Sequence, residues 1–435
     1  MPFEPIENYG VIGNMQSIGL VGMNGSIDFL CYPNFDSPTI FAALLDDRNG
    51  GRFEIRPQLT NARVRQMYLP ETNILVTRFL AEEGVSELTD YMPIDNDGAG
   101  PNEIVRKVAV IRGDVRFRMC CQPRFSYATC GHQLELSELC ATFRPFSSDC
   151  PPMSLQSSVR LGRLDDDVTA DFRLKAGQTA TFLFGSVRGS VQGSVQNGGT
   201  QSELDLLDQR FRNTVQFWKA WISKSRYKGR WREMVLRSAL VLKLLISRKY
   251  GSLIAAPTFS LPETIGGVRN WDYRFTWLRD ATFTLYALTR LGFVDETEAF
   301  IEWLKGRLSD DAQRGPLQVM YGIDGRQELE EISLDQFCGY ENSRPVRIGN
   351  AAYKQLQLDI YGEMMDAVYL ANKYGKPISH AEWQDVQRLL EWLRNNWRRP
   401  DEGIWEVRGG PREFLYSRVM CWVAFDRALR LAQKR

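Results

Sequence analysis

The sequence predicts two successive structures, a large antiparallel β-sandwich followed by a helical region, and three observations lead there. Apolar alternation at hairpin spacing fills the first half. A Gly-Ser-Val repeat interrupts the chain at 185–202. Beyond it the apolar period lengthens to that of a helix. At 435 residues the chain is too long for one core and fits two or more domains.

The strands come first. SIDFLCY (26–32) follows the turn dipeptide Asn24-Gly25, a strong hairpin signal. TNILVTRFL (72–80) and VSELTDY (85–91) flank Glu82-Glu83-Gly84. IVRKVAVIR (104–112) and VRFRMCC (115–121) flank Gly113-Asp114, which reads as a second hairpin turn, and TATFLFGSV (179–187) is a further strand. GSVRGSVQGSVQNGGTQS (185–202) is low-complexity boundary material.

Helical spacing then takes over. Leu207, Phe211, Val215, Trp218 and Ile222 form one apolar stripe, and Trp231, Val235, Ala239, Leu242 and Ile246 form the next. Helices are predicted at 280–291, with Gly292 as the C-terminal cap, and at 295–308, opened by Asp295 with Glu298 three residues on. Another is predicted at about 353–374, closed by Gly375 and Pro377. Ser379 and Glu382 form a capping box for 380–398, and a last helix follows Ser417. Long aromatic and charged loops at 250–279, 309–350 and 399–415 separate these helices, and such loops are where function concentrates.

Composition excludes several classes of function. A net charge of +1 gives no field to attract nucleic acid or an anionic membrane. The longest apolar runs fall far short of a membrane span, and the first residues lack the pattern of a signal peptide, so the expected location is the cytoplasm. Eight cysteines make no disulfide framework, six of them lying between Cys31 and Cys150 without a CxxC pair. Cys130 and His132 are close, but His380 is the only other histidine, so no metal is expected and the thiols read as buried and reduced.

Two segments hold residues suited to sugar chemistry. GGVRNWDYRFTWLRDATFTLYAL (266–288) gathers Trp271, Tyr273, Phe275 and Trp277 around Arg274, Arg279 and Asp280. Pyranose rings offer apolar C–H faces and vicinal hydroxyls, so their sites combine aromatic walls with charged hydrogen-bonders. Asp280 could accept from two hydroxyls while Arg279 orients it; the plainer alternative makes Asp280 a helix N-cap with Arg279 as its ion-pair partner. In DEGIWEVRGGPREF (401–414), Trp405 stands directly before Glu406. An aromatic wall of that kind raises a carboxyl pKa towards the range of a general acid. The plainer reading is an exposed loop glutamate paired with Arg408 or Arg412.

NWDYRFTWLRDATFTLYAL, GYENSRPVRIGNAAYKQLQLDIYGE (339–363) and GIWEVRGGPREFLYSRVMCWVAFDRA (403–428) resemble the bacterial glucoamylase-like proteins of glycoside hydrolase family 15, as does IENYGVIGNMQSIGLVGMNGSIDFLCYPNFDSP (6–38). The resemblance extends over nearly the whole chain. It implies an N-terminal β-supersandwich over 1–198, a linker with a helix over 199–228, and an (α/α)6 barrel over 229–435 of which about half the helices are present. It implies an inverting, exo-acting α-glucosidase of the glucoamylase, glucodextranase or trehalase type, with no organic cofactor. Matched by motif, Glu406 is the general acid, and Tyr273, Trp277, Arg279 and Asp280 form the first glucose subsite. Trp405 adjoins that acid, and Arg347 falls in another substrate-binding segment. The family's general base lies far downstream of the acid, and no residue here occupies that position.

Two expectations follow from that gap: little hydrolysis by the chain alone, and an open row of apolar side chains (Trp383, Leu390, Leu393, Trp422, Phe425) suited to self-association. The competing reading is a non-catalytic glucan-binding or regulatory protein that keeps the sugar loop, as phosphorylase kinase regulatory subunits do.

Overall fold

The computed structural model describes residues 3–187, 201–311, 316–374 and 377–433. The expected boundary at 198, most of the Gly-Ser-Val repeat and the helix stop at Gly375 lie outside the described residues.

Residues 9–186 form one antiparallel assembly of fifteen strands. The predicted hairpins at Asn24-Gly25 and around Glu82-Glu83 are present, giving Ser26–Cys31, Leu75–Leu80 and Gly84–Tyr91. Gly113-Asp114 is a correction. It is no hairpin turn, because a single strand, Glu103–Cys121, runs straight through it. Before Gly113 this strand pairs with Gly84–Tyr91 and Thr179–Ser186; after it, with Phe53–Pro57 and Asp167–Lys175. Gly113 has φ +84°, and a Cβ there would meet the Glu83 carbonyl oxygen at 2.2 Å. A glycine that reads as a turn signal is thus the corner at which one strand passes between two sheets. The alternating inner residues of both sheets, among them Phe53, Val108, Phe117, Phe143 and Phe182, form one core.

The helical part comprises α1 (Gln201–Ile222), α2 (Arg232–Leu244), α3 (Leu278–Leu291), α4 (Asp295–Asp311), α5 (Asp359–Tyr374), α6 (His380–Asn396) and α7 (Leu415–Ala432). Gly292 caps α3 with φ +105°, as its sequence predicts, and the Ser379–Glu382 capping box opens α6. The helix expected from 353 starts later, at Asp359. The reason is tertiary. Glu402 Oε2 accepts from Leu356 N and Asp401 Oδ2 from Leu358 N, both at 2.9 Å, while Glu402 N donates to Leu356 O. These bonds hold residues 355–358 against the 401–412 loop, and two of them take Leu358 N and Leu356 O, which a longer helix would bond within itself.

The expected open apolar row is overturned for four of its five named residues, while Trp422 stands exposed on α7 with its neighbours Leu415, Val419 and Leu429. Leu393 is fully buried, and Trp383, Leu390 and Phe425 pack partly buried against the main core; Trp422 alone of the five is exposed. The α6 face read as open packs instead against α4 and α7.

The β and helical parts share one core, in which Phe29 and Phe35 meet Trp218, Leu240 and Phe259. A polar clamp reinforces the contact. Arg274, fully buried, pairs with Asp272 at 2.6 Å and donates across the boundary to Ser37 O (2.8 Å), Tyr127 Oη (3.2 Å) and Cys31 Sγ (3.3 Å). This clamp anchors the 266–280 loop, from which α3 begins, on the β framework. No helix among the described residues is long and apolar enough to cross a membrane.

Candidate active site

Trp277 enters α3 in extended conformation, which places Arg279 and Asp280 in the first helical turn. Asp280 is therefore not the N-cap, although its pairing with Arg279 is present: Arg279 Nη2 donates to Asp280 Oδ2 at 3.0 Å. The other end of the guanidinium reaches the 401–414 loop. Arg279 Nη1 donates to Glu406 Oε1 at 2.9 Å and to the carbonyl of Ile404. Burial disfavours the Arg279 charge, yet the carboxylates of Glu406 and Asp280 more than offset this and hold its pKa above the ordinary value.

Glu406 sits in a tight turn, its N–H donating to Gly403 O at 3.3 Å, with φ +49°. A left-handed backbone is uncommon for a glutamate and marks a position fixed by its surroundings. The turn sends successive side chains in opposite directions. Glu406 points inward, four-fifths buried, while Trp405 is 74% exposed. Trp405 therefore does not wall off the acid, contrary to the expectation from their adjacency.

A residue that the sequence reading did not single out completes the holding of Glu406. Gln357, fully buried on the pinned 355–358 segment, donates Nε2 to Glu406 Oε1 at 3.1 Å. Gln355 Nε2 braces the backbone of the same turn at Val407 O, at 3.3 Å. Both side-chain donors to Glu406 thus converge on one oxygen. If the acid carries a proton, that proton belongs on the other, Oε2.

Tyr273 and Trp277 are brought together, their rings tilted with centroids 5.8 Å apart. Trp277 lies almost wholly inside a small cluster with Phe275, Val319 and Met320. Burial first, then the charges of Glu263 and Glu406, raise the Tyr273 pKa, which places its hydroxyl within electrostatic reach of the acid. Arg347 belongs to a neighbouring group. Its guanidinium lies over Trp271 at 4.9 Å, Arg408 lies over the same ring at 4.5 Å, and Glu331 pairs with both arginines. Neither Arg347 nor Trp405 touches Glu406 through a side-chain bond seen here.

Beneath Arg279 lies a second acidic layer, Asp359 and Glu363 of α5, with Tyr416 of α7 donating to Glu363 Oε1 at 3.2 Å. Read from sequence, Glu363 is a helical residue; the fold places it inside. A signal existed. Asp359 and Glu363 stand one turn apart on the face that also carries Ile360 and Met364, which is buried. A cavity of about 370 Å³ lies elsewhere, between α4, α5 and α6, and shares no residue with this cluster.

A basic–acidic–aromatic cluster held on long loops of a helical scaffold is the form of a carbohydrate-processing site. Comparison with known sequences gives it a family. The profile of Glycosyl hydrolases family 15 matches residues 229–435, and that of the Trehalase-like N-terminal domain matches residues 2–166. A trehalase of Mycolicibacterium smegmatis is 36% identical over 457 residues, covering 99% of this chain and 67% of that protein. A trehalase of Mycobacterium tuberculosis is 35% identical, covering 100% and 66%, and one of Thermoplasma acidophilum is 36% identical, covering 95% and 69%. The chain belongs to glycoside hydrolase family 15. It spans about two thirds of the length of these curated relatives.

Proposed function

We propose that this chain carries the general acid and the first glucose subsite of an inverting, exo-acting α-glucoside hydrolase whose substrate is trehalose. The relatives named trehalase support the substrate. The chemistry rests on one observation, the convergence of Arg279 and Gln357 on Oε1 of Glu406. That convergence leaves Oε2 to protonate the departing glycosidic oxygen. Asp280, held by Arg279 yet more than a third exposed, accepts from the hydroxyls of the glucose being released. Tyr273, tilted on Trp277, offers a ring to the apolar sugar face. Arg347 and Trp405 act outside this first subsite. The helices from α2 onward form part of an (α/α)6 barrel, and the domains divide at about 198 and 229.

An inverting reaction also needs a carboxylate ~6.5–9.5 Å from the acid to activate water. The carboxylates around Glu406 are otherwise engaged. Asp280 is held by Arg279, Asp401 by Leu358 N and Glu402 by Leu356 N, and Asp359 and Glu363 face each other inside the fold. We assign none of them as the base, so residues 1–435 alone turn over slowly, by the ~10²–10⁴-fold that base catalysis is worth.

The test is glucose release from trehalose, maltose, isomaltose and maltodextrin. Glu406→Gln is expected to abolish release from trehalose while leaving the far-ultraviolet circular dichroism unchanged. Azide, supplied as an external nucleophile, is expected to speed consumption of α-glucosyl fluoride and to give the β-azide. Hydrolysis that survives Glu406→Gln overturns the assignment of the acid.

A further inference from the structure

Asp359 and Glu363 are almost fully enclosed, at 0% and 1% exposure. Apart from the backbone N–H of Asp359 itself, both oxygens of Asp359 and Oε2 of Glu363 meet no donor in the structure. Three orphaned acceptors in one buried place are rare, since buried polar groups nearly always find partners. A single proton shared by the two groups pairs two of the three and leaves only the second Asp359 oxygen without a donor. A proton on Glu363 Oε2 turns that atom into a donor, and Asp359, one helical turn away on the same buried face, is the neighbouring acceptor.

The charges that face this pair come from each element packed against it. Arg279 of α3 lies above, Asp401 reaches in from the 401–412 loop, and Tyr416 of α7 donates from the side. Burial first, and then the Asp359 charge, push Glu363 up to about 8. Burial likewise raises Asp359, to about 6, against the opposing bond from its own backbone N–H and with the Asp401 charge adding to the rise. These values belong to the pair, which gives up its protons in two steps. Arg279 senses both layers, because Glu363 contributes to its field along with Glu406 and Asp280.

We propose that Glu363 is a positioning residue that holds a proton shared with Asp359, keeping one negative charge rather than two beneath Arg279 so that the guanidinium stays directed at Glu406 and Asp280. Loss of that proton to bulk solvent places a second charge under Arg279, in competition with Glu406 for the same cation. The acid then loses a donor to Oε1 and its fixed orientation, and hydrolysis falls on the alkaline side. This consequence rests on the reading of Glu406 as the acid; the shared proton does not.

Two measurements on the full chain separate those claims. The first is the infrared difference spectrum between pH 7 and pH 9.5, where ordinary carboxyls are ionised throughout. A protonated-carboxyl band that bleaches across this interval, and is missing in Glu363→Gln, is the expected result. No such band, or one that persists in Glu363→Gln, overturns the proposal. The second is the pH profile of trehalose hydrolysis. Glu363→Gln, which keeps a neutral donor, is expected to retain kcat within about threefold and to move the alkaline limb upward. Glu363→Ala is expected to lose at least tenfold in kcat, with KM less affected. Equal losses in Glu363→Gln and Glu363→Ala, with an unmoved limb, mean a merely structural side chain and also overturn it. If Glu406→Gln leaves hydrolysis intact, the catalytic reading fails, while the infrared band still decides the proton.

Discussion

Two buried pairs of ionisable side chains, Asp90–Arg106 in the β part and Asp359–Glu363 in the helical part, are satisfied in opposite ways. In the β part Asp90 and Arg106 are wholly enclosed. Arg106 Nε stands 2.8 Å from Asp90 Oδ1 and Nη2 3.3 Å from Oδ2, while the spare donors go to the carbonyls of Gly25 and Phe53. The guanidinium also lies 4.8 Å from the Phe53 ring centroid. Opposite charges meet and both carboxylate oxygens are taken. In the helical part Asp359 and Glu363 are equally enclosed, yet both are acids and three of their oxygens lack a donor from any neighbouring side chain. A buried pair that serves only the fold can be completed by evolution of its neighbours. The pair left incomplete lies beneath the arginine that grips the candidate acid, which accords with the site proposed there.

The largest expected effect breaks the completed pair. Asp90→Ala strands the Arg106 charge inside the β core and is expected to lower stability by ~3–5 kcal/mol, measured by urea unfolding. Glu363→Gln removes no compensating charge and keeps the shape of the side chain, so it is expected to cause no loss of stability at neutral pH. If Glu363→Gln proves the more damaging of the two, the contrast between the two sites is wrong.

Next in size is a binding effect. Asp280→Ala takes both acceptor oxygens from the sugar and one partner from Arg279. With the carboxylate 37% exposed, water replaces part of what is lost. The expected penalty is ~1–3 kcal/mol, read by calorimetric titration with an acarbose-like inhibitor. Unchanged affinity would leave Asp280 as nothing more than an ion-pair partner for Arg279.

How far the sequence speaks follows the range of each interaction. Gly292 and the Ser379–Glu382 capping box are visible because cap and helix are neighbours in the chain. The change from strand to helix period is visible for the same reason. Gly113 misleads, since a glycine with positive φ serves a turn and a strand corner equally well, and only distant partners decide between them. The start of α5 is set by Asp401 and Glu402, more than forty residues away, so no local pattern near 353 shows where the helix begins. The site divides likewise. Arg279, Asp280 and Glu406 are found by motif, and the fold joins them. Gln357 has no signature of its own, being recognisable only once the 401–414 turn is laid beside it. Trp405 and Glu406 suggest a wall and an acid by adjacency, but a left-handed residue sends them to opposite sides.

A smaller effect tests how closely α5 must lie against α7 to keep the acidic layer enclosed. At Gly362 an added Cβ would stand 2.3 Å from the Met420 carbonyl oxygen, a backbone atom that cannot swing aside. Gly362→Ala should force the helices apart, at ~1–3 kcal/mol, while alanine's better helix propensity returns ~1 kcal/mol. The expected net loss is up to about 2 kcal/mol by thermal unfolding, accompanied by a weaker infrared signal from Glu363. An unchanged melting temperature would mean that the approach at Gly362 is looser than the backbone positions indicate.

The smallest effect, per unit of pH, sharpens the comparison most. Glu363 is raised from 4.5 to about 8, so between those values the native state holds a proton that the unfolded chain has released. Stability rises with pH only where the unfolded state binds more protons. Here the native state binds more, so this group makes the protein progressively less stable as pH climbs from about 4.5 to about 8. Asp359 acts in the same direction over the lower window, from 3.8 to about 6. The slope for one proton is at most ~1.4 kcal/mol per pH unit. Glu363→Gln carries no titrating group, so its stability should fall less steeply between pH 6 and pH 8, and the two curves should draw together below pH 5. Urea unfolding of both proteins at pH 5, 6.5 and 8 measures this directly. A wild-type chain that gains on Glu363→Gln as the pH rises has no such proton in its core, and the incomplete pair beneath Arg279 then needs another partner.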